Sequence, residues 1–193
     1  MWHKNGAMAP PRPQRRPPPL DSRRLQELAL RYVGRYATTR AKLRAYLARK
    51  VRERGWNEAT EPDLDRLVAR VCELGYVDDA AYALAKSRGL SSRGYGKRRL
   101  EEKLRVAGID EADAAEARDH ADARAIDSAL RFAERRRIGP FAAAEADPKQ
   151  REKAIAAMVR AGHPFSLARA IAALPPSATV DVEQIREQAR IDP

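Results

Sequence analysis

Histidine, cysteine and paired carboxylates are the residues on which hydrolytic, redox or metal chemistry is usually built. The three histidines, His3, His120 and His163, are far apart and have no carboxylate or cysteine at ligand spacing, so no metal site is expected. Cys72 lies beside an apolar helical stripe and reads as a small buried hydrophobe rather than a nucleophile. Neither Gly-x-Ser-x-Gly nor Ser-x-x-Lys is present to support a covalent mechanism. Asp78 and Asp79 in GYVDDAAYA could pass for a hydrolytic pair, but they open a helix, where a carboxylate caps backbone N–H groups. The segment SSRGYGKRR resembles a phosphate loop in Gly94, Gly96 and Lys97. It has Ser91 and Arg98 where a Walker loop needs glycine and a hydroxyl residue, so nucleotide hydrolysis is not supported. What remains is a glycine-rich approach to a helix N-terminus, flanked by Arg93, Lys97, Arg98 and Arg99, able to hold a phosphate or carboxylate of a partner. Arg135, Arg136 and Arg137 form a second basic cluster, where the helix dipole also favours cations. The expectation is a binding protein with no catalytic residues and no cofactor.

The elements that must present these cations are helices. Alanine is abundant and β-branched residues are few, which favours an all-α fold. The first twenty residues hold six prolines together with Lys4, Arg12, Arg15 and Arg16, and residues 1–20 read as a disordered basic arm. Leu25, Leu28, Ala29, Tyr32, Val33 and Tyr36 then form one apolar stripe. Leu43, Leu47 and Val51 form a second, capped by Thr38 or Thr39, and Leu64, Leu67, Val68, Val71 and Leu74 a third. The same order follows over Asp79 to Arg88, Gly96 to Ala107 and Asp110 to His120. It follows again over Asp122 to Arg137, Asp147 to Gly162 and Ser166 to Leu174.

The middle helices align as RAKLRAYLARKVRERGW, KRRLEEKLRVAGI and REKAIAAMVRAGH. Leu43, Leu100 and Ala154 then share a column, and Leu47, Leu104 and Met158 another. Gly108 matches Gly162, while Gly55 falls four residues late, as if the first unit carried one extra turn. The spacing predicts an elongated array of three tandem three-helix repeats, over residues 21–77, 78–121 and 122–176, with a tail at 177–193.

The chain has 193 residues and a net charge of +11, which favours polyanionic partners. The charge alternates along the sequence: residues 1–54 carry 15 basic and 3 acidic side chains, residues 55–85 carry 2 and 7, and residues 86–105 carry 8 and 2. In-register repeats would therefore show a basic edge, with Arg40, Lys42 and Arg44 on the first middle helix continuing to the cations of the second. On that second helix, Glu101 and Glu102 lie at (i, i+4) spacing from Lys97, Arg98 and Arg105, which leaves Arg99 and Lys103 in excess. A single cysteine excludes an intramolecular disulfide and suits a reducing cytoplasm. No apolar run reaches the ~20 residues of a membrane span, and the leader lacks the apolar core of a secretory signal. With no long apolar stripe left for a second subunit, a monomer is expected.

The strings ELGYVDDAAYA, GYGKRRLEEKLRVAGI, RFAERRRIGPF and REKAIAAMVRAGHPFSLARAIAAL, in that order, resemble the RecX family, bacterial regulators of the RecA recombinase. The resemblance runs from about Leu25 to Leu174. It implies tandem three-helix repeats in a curved, elongated protein that lies in the groove of the RecA filament on single-stranded DNA. Such a protein modulates ATP hydrolysis and strand exchange, usually downward, with DNA contacted weakly or through RecA. The proline-rich arm, the extra turn at Lys50 to Arg54 and the tail after Pro176 depart from the family pattern. The alternative class is a direct nucleic-acid reader of helix-turn-helix type. Against it stand the spread of charge over both early helices of each unit and the small number of aromatics for base stacking.

Overall fold

The structure is a computed structural model that describes residues 17–190; most of the proline-rich arm, residues 1–16, lies outside them. Among the described residues ten α-helices follow one another: α1 (Ser22–Val33), α2 (Arg40–Arg54), α3 (Leu64–Glu73), α4 (Asp79–Ser91), α5 (Lys97–Ala107), α6 (Glu111–Ala123), α7 (Ala125–Arg136), α8 (Pro148–Arg160), α9 (Phe165–Ala173) and α10 (Val182–Arg190). Their starts are set by side-chain caps. Asp21, Thr39, Asp63, Asp78, Asp110 and Asp147 each accept a hydrogen bond from the N–H three residues on. The fold is all-α, built as helical units in tandem.

Each unit closes its own core. Leu25, Leu43, Leu47, Val68 and Val71 pack together in the first, Leu90, Leu100, Leu104 and Ala117 in the second, and Phe132, Met158, Leu167 and Ile171 in the third. Burying a leucine such as Leu43 or Leu104 fully contributes roughly 1.5–3 kcal/mol, so each unit has apolar stabilisation of its own.

Three boundaries differ from the sequence reading. Leu20, placed at the end of a disordered arm, is fully buried in the first core. Its N–H donates to Gly55 O at 2.9 Å and its carbonyl accepts from Asn57 N at 2.8 Å, a two-residue parallel bridge to Trp56. The stretch read as a tail contains α10, whose Ile185 is buried in the third core. The second unit also runs to Ala123 rather than 121, with only Arg124 between α6 and α7.

The units join through their middle helices, end to end. The N-terminus of α5 meets the C-terminus of α8: Gly96 N donates to Ala161 O at 3.0 Å and Arg98 N to Gly162 O at 3.2 Å. These bonds satisfy groups every helix end leaves orphaned, and they bring opposite ends of two helix dipoles together. Glycine is required there, because a Cβ on Gly96 would overlap Gly162 O, and one on Gly162 would lie 2.6 Å from Arg99 N. His163 follows, buried, with Nε2 3.1 Å from Gly94 O. A carbonyl only accepts, so Nε2 carries the proton and the buried Nδ1 is left unpaired. Burial lowers the His163 pKa, and the bond to Gly94 opposes that in part.

The N-terminus of α2 meets the C-terminus of α5 in the same sense. Thr39 Oγ1 donates to Ala107 O at 2.6 Å inside the joint, and Gly108 sits where a Cβ would overlap that of Ala41. Around it Arg40 pairs with Asp79, Asp110 and Asp113.

Candidate partner-binding surface

Packing of Leu100, Leu104 and Ala107 against the second core fixes which side of α5 faces outward. Its ion pairs differ from those that (i, i+4) spacing suggests. Glu101 is taken by Arg118 of α6, at 2.7 and 3.1 Å, and Glu102 by Arg99 at 2.9 Å. Lys97 Nζ reaches Asp122 at 2.6 Å. Arg99, expected in excess, is therefore paired. Arg98, Lys103 and Arg105 are exposed and make no ion pair among the described residues. Arg98 and Arg105 are seven residues apart and so share one line of the helix. Val106, beside them, is 81% exposed. Across the joint, Arg160 of α8 lines one shallow cleft with Arg98 and Glu102, which carries the basic feature into the third unit.

The helix N-terminus of this segment does not hold free the amides expected for an anion: Gly96 N and Arg98 N face the carbonyls of Ala161 and Gly162, just past α8, at 3.0 and 3.2 Å. The glycines serve close backbone approach.

Several other expected partner-binding residues are engaged within the protein. Arg40 holds Asp79, whose side chain is 1% exposed, through both its backbone N–H (2.9 Å) and Nε (3.2 Å). Its pKa is raised, first by the hydrogen bond to Asp79. Burial, with Asp110 and Asp79 close by, raises that of Asp113 even though Arg40 opposes it. Arg40 is a joint residue. Arg44 pairs with Asp65 of α3. Lys42 Nζ donates to Tyr82 Oη at 2.9 Å, with Lys86 over the same ring. Arg93 is turned back onto Gly89 O, and its own carbonyl accepts from Arg135. Arg136 lies over the Phe132 ring, and Arg137 ends α7 in a left-handed conformation with its side chain exposed.

One cluster was missed from sequence. Tyr32 stacks on Tyr46 at 4.1 Å, with Tyr36 edging it and Arg35, Arg49 and Lys50 over the rings. The signal was there in Tyr32 and Tyr36, one turn apart, but Tyr46 comes from another helix.

Among the described residues no group of three or more His, Cys, Asp or Glu is placed to hold a metal. Asp78 caps α4 through Ala81 N. Cys72 is half-buried, and burial raises its thiol pKa. No helix among the described residues is long and apolar enough to cross a membrane.

A family model described as the second three-helix domain of RecX matches residues 78–117, the stretch from the α4 cap into α6. The regulatory protein RecX of Myxococcus xanthus (strain DK1622) is 31% identical over 177 residues, covering 81% of this chain and 88% of that protein. The regulatory protein RecX of Mycobacterium sp. (strain KMS) is 40% identical over 88 residues, 45% of this chain and 46% of that protein. The crystal structure of RecX from Lactobacillus salivarius superposes with a TM-score of 0.57 at 14% identity, over 88% of this chain and 97% of that one. At that identity the superposition speaks for the fold.

Proposed function

This chain belongs to the RecX family of regulatory proteins, and from that premise we propose that it regulates the RecA recombinase by lying along the groove of the RecA filament on single-stranded DNA. It slows ATP hydrolysis and strand exchange in recombination and repair, acts as a monomer in the cytoplasm, and has no catalytic function of its own. The observation that carries this reading is the basic line of Arg98 and Arg105 on α5, with Lys103 on its flank and Arg160 across the joint; none of the three α5 cations makes an ion pair among the described residues. A filament groove repeats its acidic surface and phosphates along its length. A row of weak contacts on a jointed array can follow it and gain affinity by summation. Val106, 81% exposed next to Arg105, adds an apolar contact at the end of that row.

The test is ATP hydrolysis by RecA on single-stranded DNA, with the chain titrated in. Wild type is expected to lower the rate. Arg98→Glu with Arg105→Glu is expected to keep the melting temperature and weaken filament binding roughly tenfold, about 1.4 kcal/mol. Arg52→Glu with Arg66→Glu, on exposed positions of the first unit, is the matched control. Equal inhibition by both double variants would remove α5 from the interface.

A further inference from the structure

The break between α6 and α7 opens a second basic feature, away from the exposed line of α5. A cleft of about 200 Å³ lies between the second and third units, lined by Arg88 and the hydroxyl residues Ser91 and Ser92 at the end of α4, by His120 of α6, and by Arg124 and Arg131 of the α6–α7 region. Three guanidinium groups converge here with one carboxylate, Asp127, which Arg124 already holds at 3.0 Å. Arg88 and Arg131 are exposed and make no ion pair among the described residues. The Ser91 hydroxyl has no intramolecular partner there either. Like charges gathered in excess of the carboxylates beside them destabilise a fold, and a bound anion reverses that.

We propose that this cleft is an oxyanion site that takes one phosphate group, supplied by the backbone of a single-stranded nucleic acid or by phosphate free in solution. Guanidinium groups pair with phosphate oxygens two at a time, and several donors around one tetrahedral anion suit phosphate better than a carboxylate. The volume admits a phosphate but is below the ~300 Å³ typical of sites for whole small-molecule ligands. Arg88, Ser92, Arg124 and Arg131 are all exposed, so a polymer can pass across the mouth.

His120 is the built-in reporter. Ser87 Oγ donates to Ala117 O at 2.8 Å, so at 3.0 Å it accepts from His120 Nδ1–H, which leaves Nε2 as the free edge of the ring. Burial, then Arg88 and Arg124, lower its pKa. The other charges around it are Asp127 and Arg131 across the cleft, the Lys97–Asp122 pair, and Asp119 on its own helix. A bound phosphate offsets the arginines and favours the protonated ring.

Histidine NMR on the full chain, with no RecA present, tests this separately from the filament reading: failure here leaves that reading standing. Sodium phosphate is titrated against sodium chloride at equal ionic strength, and a ten-residue oligothymidylate is run in parallel. Phosphate is expected to shift the His120 resonances saturably and to raise the pH midpoint of the ring. Arg88→Gln with Arg131→Gln is expected to weaken the response at least tenfold, while Arg52→Gln with Arg66→Gln leaves it intact. Should the first double variant melt early, Arg131→Gln alone replaces it and must show a reduced response. Saturation by the oligonucleotide at lower phosphate concentration assigns the site to a nucleic-acid backbone, and saturation by inorganic phosphate alone assigns it to the free anion. An equal response to chloride, an unchanged response in the arginine variants, or no shift of His120 overturns the proposal.

Discussion

At the joint between the first and second units, α2 meets α5 through side chains: Thr39 reaches Ala107 O, and Arg40 bridges Asp79, Asp110 and Asp113. At the joint between the second and third, α5 meets α8 through backbone, with Gly96 and Gly162 in contact and a neutral imidazole sealed behind them. Both joints hold a glycine in close approach, Gly108 against Ala41 and Gly96 against Gly162, but the first adds a cluster of charges where the second adds backbone hydrogen bonds. Charges half in solvent yield to salt and to loss of one partner, whereas glycine contacts are indifferent to salt but tolerate no added atom. One repeat plan therefore gives two joints with different weaknesses.

The largest predicted effect follows from that intolerance. Gly96→Ala puts a methyl group on the Gly162 carbonyl, so the backbones must separate. The expected loss is about 2–4 kcal/mol, seen as an earlier thermal transition and faster amide exchange at Arg98. Gly89→Ala, in the last turn of α4 with nothing near its added Cβ, is the contrasting change and should be neutral or stabilising by up to ~1 kcal/mol. If both alanines behave alike, the second joint is not close-packed.

Arg40→Ala comes next. It leaves the buried Asp79 carboxylate without its guanidinium, though Arg40 is itself 46% exposed and water can partly replace it. A loss of about 1–3 kcal/mol is expected, and Asp79→Asn in the same background should restore part of it. Lack of recovery would mean that Arg40 acts by packing.

Acid should distinguish the joints more gently. The folded His163 pKa lies below its ordinary 6.5, so the unfolded chain binds the proton first. Stability is full above about 6.5 and falls as pH drops below it. His120 shifts the same way, so the slope should be reduced, not abolished, in His163→Gln. Melts between pH 8 and pH 5.5 give the slope, and one unchanged in His163→Gln would assign it elsewhere.

The smallest effect is that of salt. Raising sodium chloride from about 0.05 to 0.5 M should weaken the first joint by a few tenths of a kcal/mol and leave the second as it was. Amide exchange at Leu43 against that at Arg98 separates the two.

How much of this could be read in advance depended on range. The helices were legible because each carries an apolar stripe at 3.6-residue period, and the pairing of Gly108 with Gly162 marked equivalent ends of α5 and α8. What those glycines do was not legible, since flexibility, phosphate binding and close approach all leave the same letter. The charges failed for a similar reason. Spacing within α5 assigned Glu101 to its own helix, but Arg118 is 17 residues away and packs alongside. Arg40 finds its partners 39, 70 and 73 residues on. The helix α10 was lost behind Pro175 and Pro176, which end α9 and read as the end of structure.

The extra turn of α2 bears on how large the assembly can grow. A head-to-tail joint is an open-ended rule: a chain exposing one half at each end could add copies of itself without limit. Here neither end offers it. The carbonyl of Gly55, at the far end of the longer helix, is already covered by Leu20, with Arg54 fastened to Pro18 O beside it. At the opposite end Pro148 has no N–H to give, and Asp147 and Gln150 close on each other's amides. Among the described residues both outer ends of the series are thus covered, and neither presents an open half-joint to a second copy.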